Sequence, residues 1–115
     1  MDLGIAVLNN KQYEVKRAIF AIAAAANTDV VAAVTGKKIR VIRLIGTTDS
    51  ATAAGFKLRS ATTDKTNEMF TITTGGMFDS GYVWNLVETV VSEALNIIVS
   101  GNDFNGILWY IENDQ

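Results

Sequence analysis

The chain has 115 residues, enough for one domain with a core of its own. Hydrophobic residues make up 49% and charged residues 19% of it, fewer charges than the ~25% of an ordinary domain, so a chain this short has little interior in which to hide its apolar surface. With no cysteine and no histidine, disulfides, thiolate metal sites and Ser-His-Asp triads are excluded, and the net charge of −2 argues against nucleic acid as a partner.

Residues 1–12 are expected to form an N-terminal arm ahead of a single domain over 13–115. In the arm Leu3, Ile5 and Val7 alternate, as in a short strand or a segment laid on a neighbour. The opening Met1-Asp2-Leu3-Gly4 lacks a basic stretch, so no secretory leader is expected. No apolar run approaches the ~20 residues of a membrane span, and no membrane partner is expected.

Residues 13–25 are rich in alanine, which favours a helix, but they lack a cap and a closing glycine. Their parity suits a strand, with a short helix as the alternative. Asn27-Thr28-Asp29 reads as a turn and residues 30–34 as a compact strand closed by Thr35-Gly36. The β-branched run over 37–45, bracketed by Gly36 and Gly46, reads as a strand near the middle of a sheet. Parity gives one face Ile39, Val41, Arg43 and Ile45 and the other Lys38, Arg40, Ile42 and Leu44. Each face is partly apolar, so both should be covered. Arg40 and Arg43 in such a strand need carboxylate partners, for which Glu93 and Glu112 are the candidates.

Phe56-Lys57-Leu58-Arg59 alternates with Phe56 and Leu58 inward. Met69 to Thr74 predicts Phe70 and Ile72 inward, Thr71 and Thr73 outward, and Gly75-Gly76 a turn or bulge. Residues 77–93 have near-helical apolar spacing, but their valines and threonine favour an extended loop leading into a strand. Residues 94–100 and 104–112 are apolar alternating runs joined by Gly101-Asn102-Asp103, which predicts a β-hairpin. In the second run Phe104, Leu108 and Tyr110 oppose Ile107, Trp109 and Ile111.

These elements predict an all-β domain, an antiparallel β-sandwich of about eight short strands. The strands at 37–45 and 104–111 are apolar on both sides, so their outer faces should meet another subunit. The expected oligomer interface is Ile39, Val41, Arg43, Ile45, Ile107, Trp109 and Ile111. Residues 1–65 hold ten basic and five acidic side chains, and residues 66–115 hold seven acidic and no basic ones. Either the two halves interleave their charges, or each subunit carries a basic and an acidic face.

Chemistry finds little purchase. Glu88 with Glu93, or Asp79 near Asp103, could pair as a glycosidase needs, but nothing fixes the geometry, and the ordinary role is surface charge. Asp64, Asp79 and Asn102-Asp103 match no calcium-loop spacing. No cofactor is expected, and the chain is not expected to be an enzyme. The aromatics Phe78, Tyr82, Trp84, Trp109 and Tyr110 suit core and interface packing, with Trp84 the best placed for a ligand contact.

Four blocks resemble a recurring group of small tailed-phage virion proteins. Val30-Val31-Ala32-Ala33-Val34-Thr35-Gly36-Lys37-Lys38-Ile39-Arg40-Val41 is similar to the group's V-A-A-V-x-G-K-K-I-R-V run, and Phe56-Lys57 follows a similar small-residue loop. Glu88-Thr89-Val90-Val91-Ser92-Glu93-Ala94-Leu95-Asn96-Ile97 resembles E-T-A-A-G-E-A-L-N-L, and Gly106-Ile107-Leu108-Trp109-Tyr110-Ile111 resembles G-x-L-x-Y-x. The likeness spans roughly residues 28–111. Ser92 stands where the group has a turn glycine, and residues 1–12 lie outside it. The third block implies strand-turn-strand over 88–97. The resemblance implies a jelly-roll-like sandwich, often trimeric, acting as a capsid decoration (cement) protein or a fibre or spike component. It implies a virion location after synthesis in the host cytoplasm, with the major capsid protein or another virion protein as partner and no catalytic residues. Leu3, Ile5 and Val7 would then serve as a capsid-binding arm. The alternative is a receptor- or glycan-binding head using Trp84.

Overall fold

A computed structural model describes residues 4–49, 52–71 and 76–115. Among them all regular structure is β. The strands are β1 (Ile5–Leu8), β2 (Lys11–Glu14), β3 (Lys16–Ile22), β4 (Asn27–Val31), β5 (Lys38–Thr47), β6 (Gly55–Ser60), β7 (Thr63–Asp64), β8 (Met69–Phe70), β9 (Met77–Asp79), β10 (Val87–Glu88), β11 (Leu95–Ser100) and β12 (Phe104–Asn113). That is twelve strands among the described residues against about eight expected; β7 to β10 are pieces of two or three residues.

All pairings are antiparallel. One large sheet has the order β10-β5-β12-β3, with β9 also on β5; the other has β4-β11-β6-β7, with β8 also on β6. Their inner faces build one core. Phe20, Ile22, Ile39, Val41, Leu44, Phe104 and Leu108 come from the first sheet, and Val31, Phe56, Leu58, Leu95, Ile97 and Val99 from the second. At its centre the Phe56 ring stacks on Phe104 with centroids 4.2 Å apart, and Phe78 meets Phe56 edge-on at 5.1 Å. Gly46 makes room for this stack, since a Cβ there would lie 2.1 Å from the Phe104 ring.

The inward alternation of Phe56 and Leu58 is as the sequence predicts. So is the extended form of 13–22, which closes β2 and makes β3, though the chain already turns from Ala23, and so is the absence of a helix over 77–93. Four expectations are corrected. β4 begins at Asn27, so the supposed turn is strand: all three side chains are exposed, Asn27 and Asp29 lying against Asn96 on the outer face, and the chain turns one step earlier, at Ala23 to Ala26. Phe70 is exposed and Thr71 buried, the reverse of the expected parity, because Thr71 Oγ1 accepts a hydrogen bond from the Ala54 N–H at 2.9 Å. Ile72 and Thr73 lie outside the described residues, as does Gly75. The runs 94–100 and 104–112 do not pair as a hairpin. β11 and β12 belong to different sheets, and Gly101 to Asp103 carries the chain across the core. Asn102 holds that crossing by donating to the Ala53 carbonyl at 3.0 Å, and Gly101 takes the positive φ of 82° it needs.

The fourth correction is to β5. Trp109 pairs with Arg43 and Tyr110 with Val41, so Ile42 is an extra, unpaired residue: a β-bulge. The bulge reverses the parity of everything after it. Ile39, Val41, Leu44 and Gly46 face inward, and Arg43 and Ile45 face outward. Ile39 and Val41 are therefore core residues with no exposed surface to offer a second subunit.

The N-terminus is a hairpin, β1 pairing with β2 from Ile5↔Glu14 to Leu8↔Lys11, and it straddles the expected boundary at residue 12. Asn9 and Asn10 form its two-residue turn with φ of 50° and 63°, the left-handed pair that asparagine tolerates best after glycine. Leu8, Tyr13 and Val15 lie against Ile42 and Ile111 in a second small cluster, so Ile111 too is buried within the subunit. Leu3 lies outside the described residues. Ile5 and Val7 remain exposed on the far side of the hairpin.

Candidate interaction face

The outer side of the first large sheet assembles from the strand pairings. Ile19, Ile107 and Ile45 lie side by side on β3, β12 and β5, and Asp79 of β9 ends the row. The next row is Arg17, Trp109 and Arg43. Ile19 is 78% exposed, and Ile45, Ile107 and Trp109 are half-buried by one another. Of the seven residues expected at an interface, Arg43, Ile45, Ile107 and Trp109 share this face, while Ile39, Val41 and Ile111 do not reach it.

A strap supplies the rest. Residues 77–92 run down the free edge of β5, from Met77 beside Thr47 to the Ser92 N–H, which donates to the Lys37 carbonyl at 2.8 Å. Between those ends the N–H groups of Ser80, Val83, Leu86 and Thr89 donate to Leu44, Ile42, Val41 and Ile39. Sixteen strap residues cover the eleven from Lys37 to Thr47, and the surplus is looped out around Gly81 to Asn85. That loop carries Tyr82, 64% exposed, and Trp84, 56% exposed.

Each ring is pinned by an arginine. The Arg43 guanidinium lies 4.8 Å from the Tyr82 centroid and 5.2 Å from Trp109, and its Nη2 is 3.0 Å from Asp79. The Arg43 guanidinium and the Gly81 N–H hold the Asp79 carboxyl below the usual range. Arg40 lies 5.5 Å from the Trp84 centroid and donates to Glu88 at 2.8 Å. Burial pushes the Glu88 carboxyl up, but hydrogen bonds from Asn113 and Arg40 outweigh it and leave the group below its ordinary value. Arg40 Nη1 is buried without a hydrogen-bond partner among the described residues. The sequence places the arginines' partners in the acidic half, and there they are. They are not Glu93 and Glu112: Glu93 accepts from the Ser60 hydroxyl, and Glu112 pairs with Lys16 at 3.2 Å.

Four of the five ion pairs among the described residues join an early base to a late acid, so the charges of the two halves interleave. Glu88 and Glu93 are thus engaged with different partners. Asp64 pairs with Lys57, Asp79 with Arg43, and Asp103 accepts from Thr48 and Asn105. No group of three or more metal-ligating side chains gathers among the described residues. Asp103 does meet Asp49: a hydrogen bond between them raises the Asp49 carboxyl and lowers that of Asp103.

The outer side of the second sheet is different in kind. Asn96, only 4% exposed, accepts from Arg59 Nε and Nη2 at 2.9 and 2.8 Å and donates to Asn27 and Asp29 at 3.1 and 2.9 Å. Beside this ladder an open groove of about 670 Å³ runs between Lys57, Arg59, Asp64, Glu68 and Ser100. Sequence parity alone could find the outward residues of β6, but the Asn96 hub carries no sequence signal. No family model, curated protein or solved structure matches this chain.

Proposed function

We propose that this chain is a structural virion protein, a homo-oligomer that decorates or cements a phage capsid through protein–protein contacts, on a jelly-roll scaffold. The observation that carries the reading is the open face of the first sheet. Ile19, Ile45, Ile107, Trp109 and Tyr82, with Arg43 among them, form a contiguous apolar surface of the composition that protein interfaces favour. Trimer is the copy number that the resemblance implies.

The strand order supports the jelly roll. With β7 and β8 as one pass and β9 and β10 as another, eight passes follow the N-terminal hairpin. The first pairs with the last (β3 with β12), the second with the seventh (β4 with β11), the third with the sixth (β5 with β9 and β10), and the fourth with the fifth (β6 with β7 and β8). That nesting is a rolled-up pair of Greek keys.

The exposed Ile5 and Val7 suit the arm to a capsid contact, with Leu8 and Tyr13 anchoring the hairpin beneath them. The test is occupancy on purified particles. Ile5→Asp with Val7→Asp should abolish attachment and leave the far-UV spectrum unchanged; full occupancy would reject the arm's role, and absence of the wild-type protein from particles would reject the virion reading. The exposure of Trp84, its ring backed by Arg40, favours a second reading as a receptor- or glycan-binding head. A glycan screen with Trp84→Ala as control separates the two.

A further inference from the structure

The first large sheet stops at β3, which among the described residues pairs only with β12. Its other edge is a row of backbone groups able to take another strand. Among the described residues that edge is weakly protected: β3 has no proline, it has no bulge against β12, and its two charges, Lys16 and Arg17, sit together at one end. In its middle Ile19 is more exposed than any other large hydrophobic side chain among the described residues.

We propose that β3 is a self-pairing edge, and that two copies join their β3 strands antiparallel about a two-fold axis at Ile19. The occupant is a second copy because the strand complements itself. With Ile19 opposite Ile19 of the partner subunit, Arg17 faces the partner's Ala21 and Lys16 faces the partner's Ile22, so like charges fall at opposite ends. A parallel pairing would instead set the two basic ends side by side. The antiparallel register also joins the apolar rows, Ile45, Ile107 and Ile19 running directly into the partner's Ile19 and the partner's Ile107. Opposed Cβ atoms in such a pair stand ~4.5–5.5 Å apart, which closes water out of the row. The contact is isologous and therefore closed. It needs only a second copy and stands apart from the capsid reading; where the open face builds trimers, the edge links trimers two at a time.

A chain without cysteine makes the test clean. Ile19→Cys, mildly oxidised, should run almost wholly as a disulfide-linked pair, while Thr28→Cys on the exposed edge strand β4 should stay single. Sedimentation of the wild type should give an even number of copies, and Ile19→Lys should halve it with the far-UV spectrum unchanged. Amide exchange at β3 should speed up at least tenfold in Ile19→Lys. A monomer, an odd copy number, or an Ile19→Cys variant that links no better than Thr28→Cys would overturn the proposal. Particle occupancy tests the capsid reading and cysteine cross-linking at Ile19 tests the edge, so the two fail separately, while a monomeric wild type would also remove the homo-oligomer from the capsid reading.

Discussion

The outer faces of the two sheets solve the same problem in opposite ways. On β4, β11 and β6 the outward side chains satisfy one another: Asn96 binds Arg59, Asn27 and Asp29 and uses both ends of its amide. Water can finish what the ladder leaves, and the face asks for no partner. On β3, β12 and β5 the outward rows are isoleucine and tryptophan, with Arg17 at the β3 edge and Arg43 and Asp79 spent on each other. That face leaves apolar surface in water, which at ~25 cal/mol per Å² is a standing drive toward association. The two faces share one core and one chain, so the difference is a property of the outward residues and not of the fold.

The largest effect should come from placing a charge at the centre of the apolar row. Ile107→Asp is expected to weaken self-association at least about thirty-fold, the ~2 kcal/mol of an interface hot spot, with the fold intact. Sedimentation velocity reads it, and a wild type that is monomeric at tens of micromolar would break the contrast. On the other face Asn96→Leu should cost about 1–3 kcal/mol of stability in urea, because Arg59, Asn27 and Asp29 lose a buried partner, and should leave the assembly mass unchanged. A change in mass there would mean that both faces are interfaces.

Acid should act on the boundary of the apolar face. The hydrogen bond and charge of Lys11, with a hydrogen bond from the Tyr13 hydroxyl, hold the Asp114 carboxyl down at about 2, against an ordinary 3.8. Protons then bind the loosened state more readily. The tie is at full strength above the ordinary value and is lost as pH falls from about 4 toward 2. The hairpin's amides should lose protection over that window before the core's do, uncovering Ile42 and Ile111. Protection that rises with acid would contradict the assignment. The smallest effect belongs to Ser92→Gly. Ser92 takes a φ of 63°, a conformation costing about 1–2 kcal/mol, but its hydroxyl accepts from the Gly36 N–H at 2.8 Å. Losing that bond and loosening the unfolded chain offset the relief, so melting should shift by about 1 kcal/mol or less in either direction.

Much of this is written in the alternation of single strands. Phe56 and Leu58, or Phe104 and Leu108, declare their side by period alone. The strand-turn-strand over 88–97 follows from the third block, and the glycine-like backbone at Ser92 fits the turn foreseen there. What the period cannot carry is a partner's choice. Two alternating runs beside a turn look the same whether they pair or part, and β11 and β12 part. A buried threonine is invisible until Ala54 offers an N–H to its hydroxyl. The partners of Arg40 and Arg43 were legible as a region and not as residues, because the strap's surplus loop decides which carboxylate arrives.

The bulge at Ile42 has a consequence for how such an exterior changes. One unpaired position separates the two halves of β5, so the identity of the side chains shown to the outside depends on a count of residues as much as on their kind. Pairing Ile42 into the ladder would turn Leu44 out and Arg43 and Ile45 in, whereas deleting it would close the ladder and leave all three where they are. A lineage that lost the one codon there would keep its outer face, and one that moved the extra residue along the strand would change it.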